Sequence, residues 1–292
     1  MKLIIFTTCK PFEGDDAWRQ EQAIKSWTLL QGMEKKIIVV GNEKGTKEIC
    51  DKYDLIHEPE VKNLSGIPYL HSMLEIGAKH SEPDDYLLWT NSDMIYYDDM
   101  IVNILSFDYI KKMNNIKNFS LIGGRIDWHN PRILEDLSKK HFLSNLHLNE
   151  RKTSRSITEI CQTESTFYEC SQHALCGIDY VIHSPTTYID KIDKNLVIAG
   201  TRHDMILVGT ALSNGYFTCN ITNTNLVVHQ NHGYALGGHN SNELTKNVLI
   251  PNNQRCNGIM ARIDQSPVFT MTDPNTKKIR FLTNKPPEIQ KR

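Results

Sequence analysis

Residues 89–95 join a hydrophobic run to the polar, acidic turn Asn91-Ser92-Asp93. A carboxylate at such a strand end can bind a hard divalent cation, whose remaining positions are filled by diphosphate oxygens and water. The bound metal would neutralise charge that develops on a departing nucleoside diphosphate. The alternative is that Asp93 only caps a turn, and this segment alone favours neither interpretation.

A second group of polar residues follows a β-branched run, where His229 and His232 lie three positions apart. One imidazole there can bind a metal while the other binds a phosphate or a hydroxyl group. Two histidines alone do not make a zinc site, which usually has three or four protein ligands. The neighbouring amides and glycine favour a functional interpretation of this pair.

Two further carboxylates lie at the boundaries of predicted elements. Asp204 begins an apolar helix, where it either interacts favourably with the helix dipole or acts as a general base. Asp179 interrupts a strand-like run, and a charged group at that position needs a partner or a ligand. An acceptor hydroxyl is one candidate, and Arg125 or Arg202 is another.

These polar segments need secondary-structure elements that bring them together. β-Branched and aromatic runs predict strands at 2–8, 36–40, 55–57, 86–89, 119–123, 177–183 and 226–228. Apolar residues at helical spacing predict helices at 17–30, 46–53, 68–79 and 204–213. The alternation predicts an α/β fold, a doubly wound and mostly parallel sheet flanked by helices, with ligands beyond the carboxyl ends of the strands.

The composition of the 292 residues is that of an ordinary globular protein, with 39% hydrophobic and 23% charged residues. A formal net charge of −1 predicts no general attraction to nucleic acid. The seven cysteines include no Cys-x-x-Cys pair and indicate reduced thiols, although Cys161 could pair with Cys170 or Cys176. No signal peptide or transmembrane segment is recognised, so we expect a cytoplasmic protein.

The length suits one large α/β domain, which we expect to cover residues 1–240. Residues 241–292 are expected to form an irregular C-terminal extension that packs on this domain or trails from it. The sequence assigns this extension no role and leaves the oligomeric state unknown.

In their order along the chain, these segments resemble nucleotide-sugar glycosyltransferases of the GT-A fold, particularly a branch with Asn-x-Asp in place of Asp-x-Asp. Arg19 and Trp27 approximate the pattern of the first helix in that branch. The other matching segments are Gly66-Ile67-Pro68, Asn91 to Ile95, Gly177 to Tyr180, Gly200 to Asp204 and His229 to Tyr234. The resemblance spans about residues 1–240.

Three positions depart from the pattern of that branch. Asn91 replaces the first Asp, so its contact is expected with ribose or nucleotide and not with metal. His203 stands where relatives often have Trp, and Gly233 stands where an Asp is common.

The resemblance implies metal-dependent transfer of a sugar from a nucleoside-diphosphate sugar, with UDP favoured, to a hydroxyl group of a glycan or glycoconjugate acceptor. Asp93 would hold Mn²⁺ or Mg²⁺, with His229 as the preferred second protein ligand and His232 as the alternative. Asp179 would orient the acceptor, and Asp204 would be its general base in an inverting displacement. The implied nucleotide-sugar-binding residues are Thr7, Thr8, Arg19, Gly66, Asn91, Ser92 and Asp93.

Two other function classes remain as alternatives. A nucleotidyltransferase shares the three-layer α/β build but is expected to carry a glycine-rich, basic phosphate loop after the first strand. Residues 11–16 are acidic instead. A non-catalytic carbohydrate-binding protein on the same fold would be expected to lack Asp93 or Asp204, and both positions hold carboxylates.

Overall fold

The computed structural model describes residues 1–128, 170–174, 177–199, 202–232, 243–273 and 275–283. The strands are β1 (Leu3–Thr8), β2 (Lys35–Val40), β3 (Ile56–Glu58), β4 (Asn63–Leu64), β5 (Ile67–Pro68), β6 (Tyr86–Thr90), β7 (Met94–Tyr96), β8 (Phe119–Ile122), β9 (Ile126–Trp128), β10 (Cys170–Gln172), β11 (Tyr180–His183), β12 (Phe217–Asn220), β13 (Val227–Gln230), β14 (Val268–Thr272) and β15 (Ile279–Thr283). The helices are α1 (Gly14–Leu29), α2 (Thr46–Tyr53), α3 (Leu70–Lys79), α4 (Asp99–Met113), α5 (His203–Ser213) and α6 (Ile250–Arg255). A π-helical turn at Thr245–Leu249 leads into α6, and a 3-10 turn covers Ile263–Gln265.

The central sheet has nine strands in the order β15-β14-β12-β8-β11-β6-β1-β2-β3. Strands β6, β1, β2 and β3 run parallel to one another, as do β8, β12 and β14. Strand β11 is antiparallel to both of its neighbours, β6 and β8, and β15 is antiparallel to β14. The predicted fold class, an α/β fold with a mostly parallel sheet flanked by helices, is confirmed.

Helices cover the central sheet on both faces, as β1 illustrates. Leu3 and Ile5 belong to a hydrophobic core shared with α1, α2 and α4, whereas Ile4 and Phe6 belong to a second core shared with α3 and α5. All four side chains are fully buried. A strand buried on both faces needs apolar residues at every position, which explains the unbroken hydrophobic run at the start of the chain.

A second sheet of four strands, in the order β10-β9-β13-β7, lies against α1. The indole of Trp27 in α1 donates a hydrogen bond to the backbone oxygen of Met94 (2.7 Å). The hydroxyl oxygen of Ser26 accepts one from the backbone N–H of Tyr96 (3.2 Å). Helix α1 therefore fixes β7, the strand that directly follows the Asn91-Ser92-Asp93 turn.

Several predicted boundaries need correction. The first helix begins at Gly14 and not at residue 17, and the strand predicted at 177–183 begins at Tyr180. The helix predicted from residue 68 begins at Leu70, because Ile67 and Pro68 pair with β4 as β5. No prediction from the sequence covered the strands β4, β7, β9, β10, β12, β14 and β15 or the helices α4 and α6. Cys161, Cys176, Gly200 and Gly233 lie outside the described residues.

The described part of the chain after residue 240 adds two strands to the central sheet. Strand β14 pairs with β12 in parallel register, Cys219 opposite Val268, and β15 then pairs with β14. Ile263 is fully buried in the core that contains α5. The domain boundary at residue 240 stays a prediction.

None of the helices in the described ranges is long and apolar enough to cross a membrane.

Gly209 in α5 lies against the backbone of the segment after residue 240. A substitution at Gly209 therefore measures how closely that segment packs on the helix. A Cβ atom at Gly209 would lie 1.7 Å from the backbone oxygen of Ile259, which a side-chain rotation cannot relieve. We expect Gly209→Ala to lower the free energy of unfolding by about 1–3 kcal/mol, the usual cost of overpacking. Ser213→Ala, on the exposed side of the same helix, serves as the control. Equal stability of both variants in urea denaturation would contradict this close packing.

A buried histidine in the central sheet predicts acid sensitivity of the fold. His183 lies between the rings of Phe6 and Tyr188, and burial lowers its pKa from the usual 6.5 to about 4. Because the folded-state pKa is the lower one, the neutral imidazole stabilises the fold above pH 6.5, and this contribution is lost as the pH falls from 6.5 to 4.

We therefore expect His183→Phe to flatten the pH dependence of stability in that range. One titrating proton contributes a slope of up to about 1.4 kcal/mol per pH unit. Chemical denaturation of both proteins across the range measures the two slopes. Parallel curves for the wild type and the variant would contradict the depressed pKa of His183.

Candidate metal centre

Three side chains from two distant parts of the chain meet at one end of the small sheet. Ligand atoms of Asp93, His229 and His232 all lie within 4.8 Å of one another. Nε2 of His232 donates a hydrogen bond to Oδ2 of Asp93 (2.8 Å), and Nε2 of His229 lies 3.5 Å from the same oxygen. Asp93 follows β6 and precedes β7, whereas His229 lies in β13 and His232 just after it.

Pairing of β7 with β13 produces this convergence. The two strands are antiparallel, with His229 opposite Met94, the residue next to Asp93. The backbone N–H of Gln230 reaches the backbone oxygen of Asp93 (3.4 Å), and its side-chain amide donates to that oxygen (3.3 Å) and to the backbone oxygen of Arg19 (2.8 Å). Gln230 thus joins the turn, β13 and α1 around the cluster.

The charged groups of this cluster shift one another's pKa values. Burial alone would raise the pKa of Asp93, but the charges and hydrogen bonds of His229 and His232 outweigh burial and hold it well below its usual range. Burial lowers the pKa of His229, but Asp93 and Asp127 more than reverse this effect and raise it. Asp93 is therefore ionised at neutral pH, as a metal ligand must be.

The residues of the cluster fit a divalent cation. Oδ1 of Asp93 is buried and has no hydrogen-bond partner within the described part of the chain, so one carboxylate oxygen remains for a ligand. A donor set of one carboxylate and two imidazoles suits a transition metal better than Mg²⁺, which prefers oxygen ligands. With three protein ligands, further coordination positions remain for an exogenous group.

A network of buried charges adjoins the cluster. Nδ1 of His229 donates to Oδ1 of Asp127 (2.9 Å), and Nε of Arg125 donates to the same oxygen (2.9 Å). Arg125 also forms an ion pair with Asp179, whose Oδ1 accepts a hydrogen bond from the side-chain amide of Asn91 (2.7 Å). Arg125 is thus the partner that the sequence left open for Asp179. The alternative, Arg202, donates instead to backbone oxygens of residues 253 and 254.

Asp204 lies beside the strand end that carries Asp179. Its Oδ2 accepts a hydrogen bond from the backbone N–H of Ile178 (3.3 Å), and its Oδ1 accepts one from the N–H of Met205 (2.8 Å). These two contacts orient the carboxylate at the start of α5. The described contacts thus connect Asp204 to Asp179 through the adjacent residue, and Asp179 through Arg125 to the metal cluster.

The predicted donor-binding residues fall into different environments. Thr7 is fully buried, and its hydroxyl donates to the backbone oxygen of Thr90 (2.7 Å), so its side chain supports the ends of β1 and β6 and offers no surface to a ligand. Thr8 is partly exposed at the end of β1. Gly66 is exposed in the turn between β4 and β5, where its φ of +86° requires glycine. The N–H of Gly66 donates to Oδ1 of Asn63 (3.1 Å), within the same turn and not to the Asp93 cluster.

Ser92 and Arg19 lie next to the cluster. The Ser92 hydroxyl donates to the side-chain oxygen of Gln20 (3.0 Å), and Gln20 in turn bonds both the N–H and the oxygen of the Lys10 backbone. Arg19 forms ion pairs with Asp16 (3.3 Å) and Asp15 (3.6 Å), which partly neutralise its guanidinium. Gln20 therefore positions the two loops that follow β1 and β6.

Sequence reasoning gave no role to Asp127 or Gln20, and it counted Gln230 only among the amides beside the histidine pair. Asp127 carried a usable signal, because a charged residue between Ile126 and Trp128 in a strand needs a partner, as Asp179 does. Gln20 carried none, because an amide that bonds the backbone of another segment looks like any polar residue.

No protein-family model and no curated protein matches this sequence. Solved structures are similar to it at low identity. For S. aureus TarS 1-349 in complex with UDP-GlcNAc, the TM-score is 0.48 and the identity 13%, over 81% of this chain and 60% of the TarS chain. For glucosyl-3-phosphoglycerate synthase from Mycobacterium tuberculosis, the TM-score is 0.47 and the identity 11%, over 97% of this chain and 88% of the synthase.

The same synthase in complex with Mn²⁺, UDP and phosphoglyceric acid gives a TM-score of 0.44 at 13% identity, over 97% of this chain and 86% of the synthase. This chain therefore spans less than two thirds of the TarS chain and most of the synthase. Since all these scores and identities are low, the likeness concerns the fold, and the activities of these proteins are not carried over by it.

The cluster predicts selective binding of a transition metal. We expect Mn²⁺ to bind more tightly than Mg²⁺, because imidazole ligands disfavour Mg²⁺. Asp93→Ala and His232→Ala should each weaken Mn²⁺ binding by more than the roughly 10- to 100-fold typical of losing an outer-shell partner. Calorimetric titration of the metal-free protein measures the affinities, with Asp51→Asn on the exposed side of α2 as the control. Unchanged Mn²⁺ affinity in the Asp93 variant would rule out this centre.

Proposed function

We propose that this protein is a metal-dependent glycosyltransferase. It transfers a sugar from a nucleoside-diphosphate sugar, preferably UDP-linked, to a hydroxyl group of a glycan or glycoconjugate, with inversion at the anomeric carbon. The observation that carries the proposal is the Asp93–His229–His232 cluster directly after β6. Strands β6, β1 and β2 are parallel, and ligands of such sheets bind beyond the carboxyl ends of the strands.

The donor side of the proposed site is built around the turn after β6. A divalent cation held by Asp93 and the two histidines would neutralise the charge of the leaving diphosphate. Oδ1 of Asp93 has no hydrogen-bond partner among the described residues, and this supports the role, because a buried and ionised oxygen left unpaired is costly unless a ligand completes it. Gln20 holds Ser92 and the Lys10 backbone in place, so these loops can line a nucleotide pocket without rearrangement.

On the donor side we keep Thr8, Arg19, Ser92 and Asn91 as contacts for the nucleotide-sugar. Thr7 would act only by supporting the strand ends, since its side chain is fully buried. For Gly66 the proposal requires that the β4–β5 turn approaches the bound nucleotide.

On the acceptor side we assign Asp204 as the general base. It would take the proton of the acceptor hydroxyl as the oxygen attacks the anomeric carbon on the face opposite the diphosphate. Its hydrogen bonds to two backbone N–H groups fix the direction of the carboxylate. Asp179 is held by Arg125 and Asn91, which suits orientation of the acceptor better than proton abstraction.

The proposal predicts that donor binding and transfer can be separated by mutation. With Mn²⁺ and a panel of nucleotide-sugars, the wild type should bind one donor and hydrolyse it slowly. Asp204→Asn should keep the thermal shift caused by donor and Mn²⁺ but lose about 10²- to 10⁴-fold in transfer, the range typical of a general base. Asp93→Ala should lose the metal-dependent shift itself.

The assay also separates the other function classes. Release of pyrophosphate from a nucleoside triphosphate would indicate a nucleotidyltransferase, and glycan binding without any nucleotide effect would indicate a carbohydrate-binding protein. Asp51→Asn, far from the cluster in sequence and exposed, should behave as the wild type throughout. If no nucleotide with Mn²⁺ changes the melting temperature of the wild type, the transferase proposal is wrong.

A further inference from the structure

The Asp127 carboxylate lies in the middle of β9 and is almost fully buried. Its Oδ1 accepts hydrogen bonds from Nδ1 of His229 (2.9 Å) and from Nε of Arg125 (2.9 Å). Its Oδ2 accepts one from Nδ1 of His173 (2.8 Å). Three nitrogens therefore converge on the Asp127 carboxylate, which has no part in the proposed transfer reaction.

The backbone register makes the contact with His229 specific. Strands β9 and β13 are parallel, and Asp127 is the residue paired with His229. On its other side β13 pairs with β7, so the same ring also reaches Asp93. The imidazole of His229 thus lies between two carboxylates, with Nδ1 on Asp127 and Nε2 3.5 Å from Asp93.

The chemistry of the two ring nitrogens follows from these contacts. An ionised carboxylate is only an acceptor, so Nδ1 of His229 must carry a proton. In a neutral imidazole the other nitrogen, Nε2, then has a lone pair directed towards Asp93. Arg125 pairs with the Asp127 carboxylate and so favours its ionised form. Asp127 therefore sets the tautomer of His229 through Nδ1, the ring nitrogen that is remote from Asp93.

We propose that Asp127 is a positioning residue of the metal centre, which holds the Nδ1 proton of His229 so that Nε2 can bind a divalent cation beside Asp93. This inference rests on the metal site of the proposed function. The simpler alternative is that Asp127 only neutralises the buried guanidinium of Arg125. In that case it would contribute to stability without affecting metal affinity.

Calorimetric titration of the metal-free protein with Mn²⁺ separates these roles. Asp127→Asn keeps the shape of the side chain but replaces a charged group that can only accept with a neutral amide that can also donate. The His229 tautomer is then no longer fixed, and we expect Mn²⁺ binding to weaken about 10- to 100-fold. His173→Gln removes another imidazole from the same carboxylate and should leave Mn²⁺ affinity close to that of the wild type. A lower melting temperature of Asp127→Asn with unchanged Mn²⁺ affinity would overturn the inference.

A spectroscopic measurement on the wild type covers the case in which Asp127→Asn does not fold. In the Zn²⁺-loaded protein, long-range ¹H–¹⁵N correlation spectra report which ring nitrogen carries the proton, with His229→Gln used for assignment. We expect a protonated Nδ1 and a metal-bound Nε2 in His229. The opposite tautomer would overturn the role of Asp127.

The two proposals can fail separately. A wild type that binds neither Mn²⁺ nor Zn²⁺ would overturn the metal centre and this inference with it. Equal Mn²⁺ affinities of the wild type and of Asp127→Asn would overturn only the role of Asp127. Failure of every sugar donor, with Mn²⁺ binding and its Asp127 dependence intact, would leave the inference standing and contradict the transferase proposal.

Discussion

The placement of β13 between β7 and β9 is the constraint on which the candidate site depends. Backbone hydrogen bonds on both edges of this four-residue strand fix its register, so His229 has no freedom to slip towards or away from its neighbours. The pairing brings together Asp93, Asp127 and His229, although the last two are 102 residues apart in sequence. Helix α1 holds β7 through Trp27, and so the core of the domain supports the geometry of the cluster.

Acidic and basic side chains alternate along a series that extends from this strand. It consists of Asp93, His229, Asp127, Arg125 and Asp179, and each group contacts the next. A buried charge is costly unless it is paired, and even a complete pair contributes little net stability. The series is therefore poorly explained by stability alone. Oδ1 of Asp93, for which the described ranges supply no hydrogen-bond partner, marks the end at which a ligand would complete it.

Much of the fold was accessible from the sequence, and the failures have identifiable causes. Long apolar runs such as Leu3–Thr8 and the helix Thr46–Tyr53 were predicted closely. The strands β7 and β9, of three residues each, are too short to show a period and were missed, although the equally short β3 was predicted at 55–57. Helix α4 was missed because exposed apolar residues such as Val102 and Tyr109 blur the helical spacing of its buried face.

The site was predictable as separate pieces but not as a network. The turn at Asn91 to Asp93 and the pair His229 and His232 could each be recognised locally, since a strand end with clustered polar groups is a local pattern. Which carboxylate meets which imidazole depends on the register of strands far apart in sequence, and no local pattern encodes it.

Asp179 illustrates what that missing information changes. The sequence allowed Arg125, Arg202 or an acceptor as its partner, and the structure pairs it with Arg125 and Asn91. A carboxylate held by a guanidinium and an amide is a poor proton acceptor, because protonation would weaken both contacts. The described contacts of Asp204 are two backbone N–H groups and no cation. The ion pair of Asp179 therefore suits orientation of a ligand, whereas Asp204 has no cation among its described contacts and stays the proposed general base.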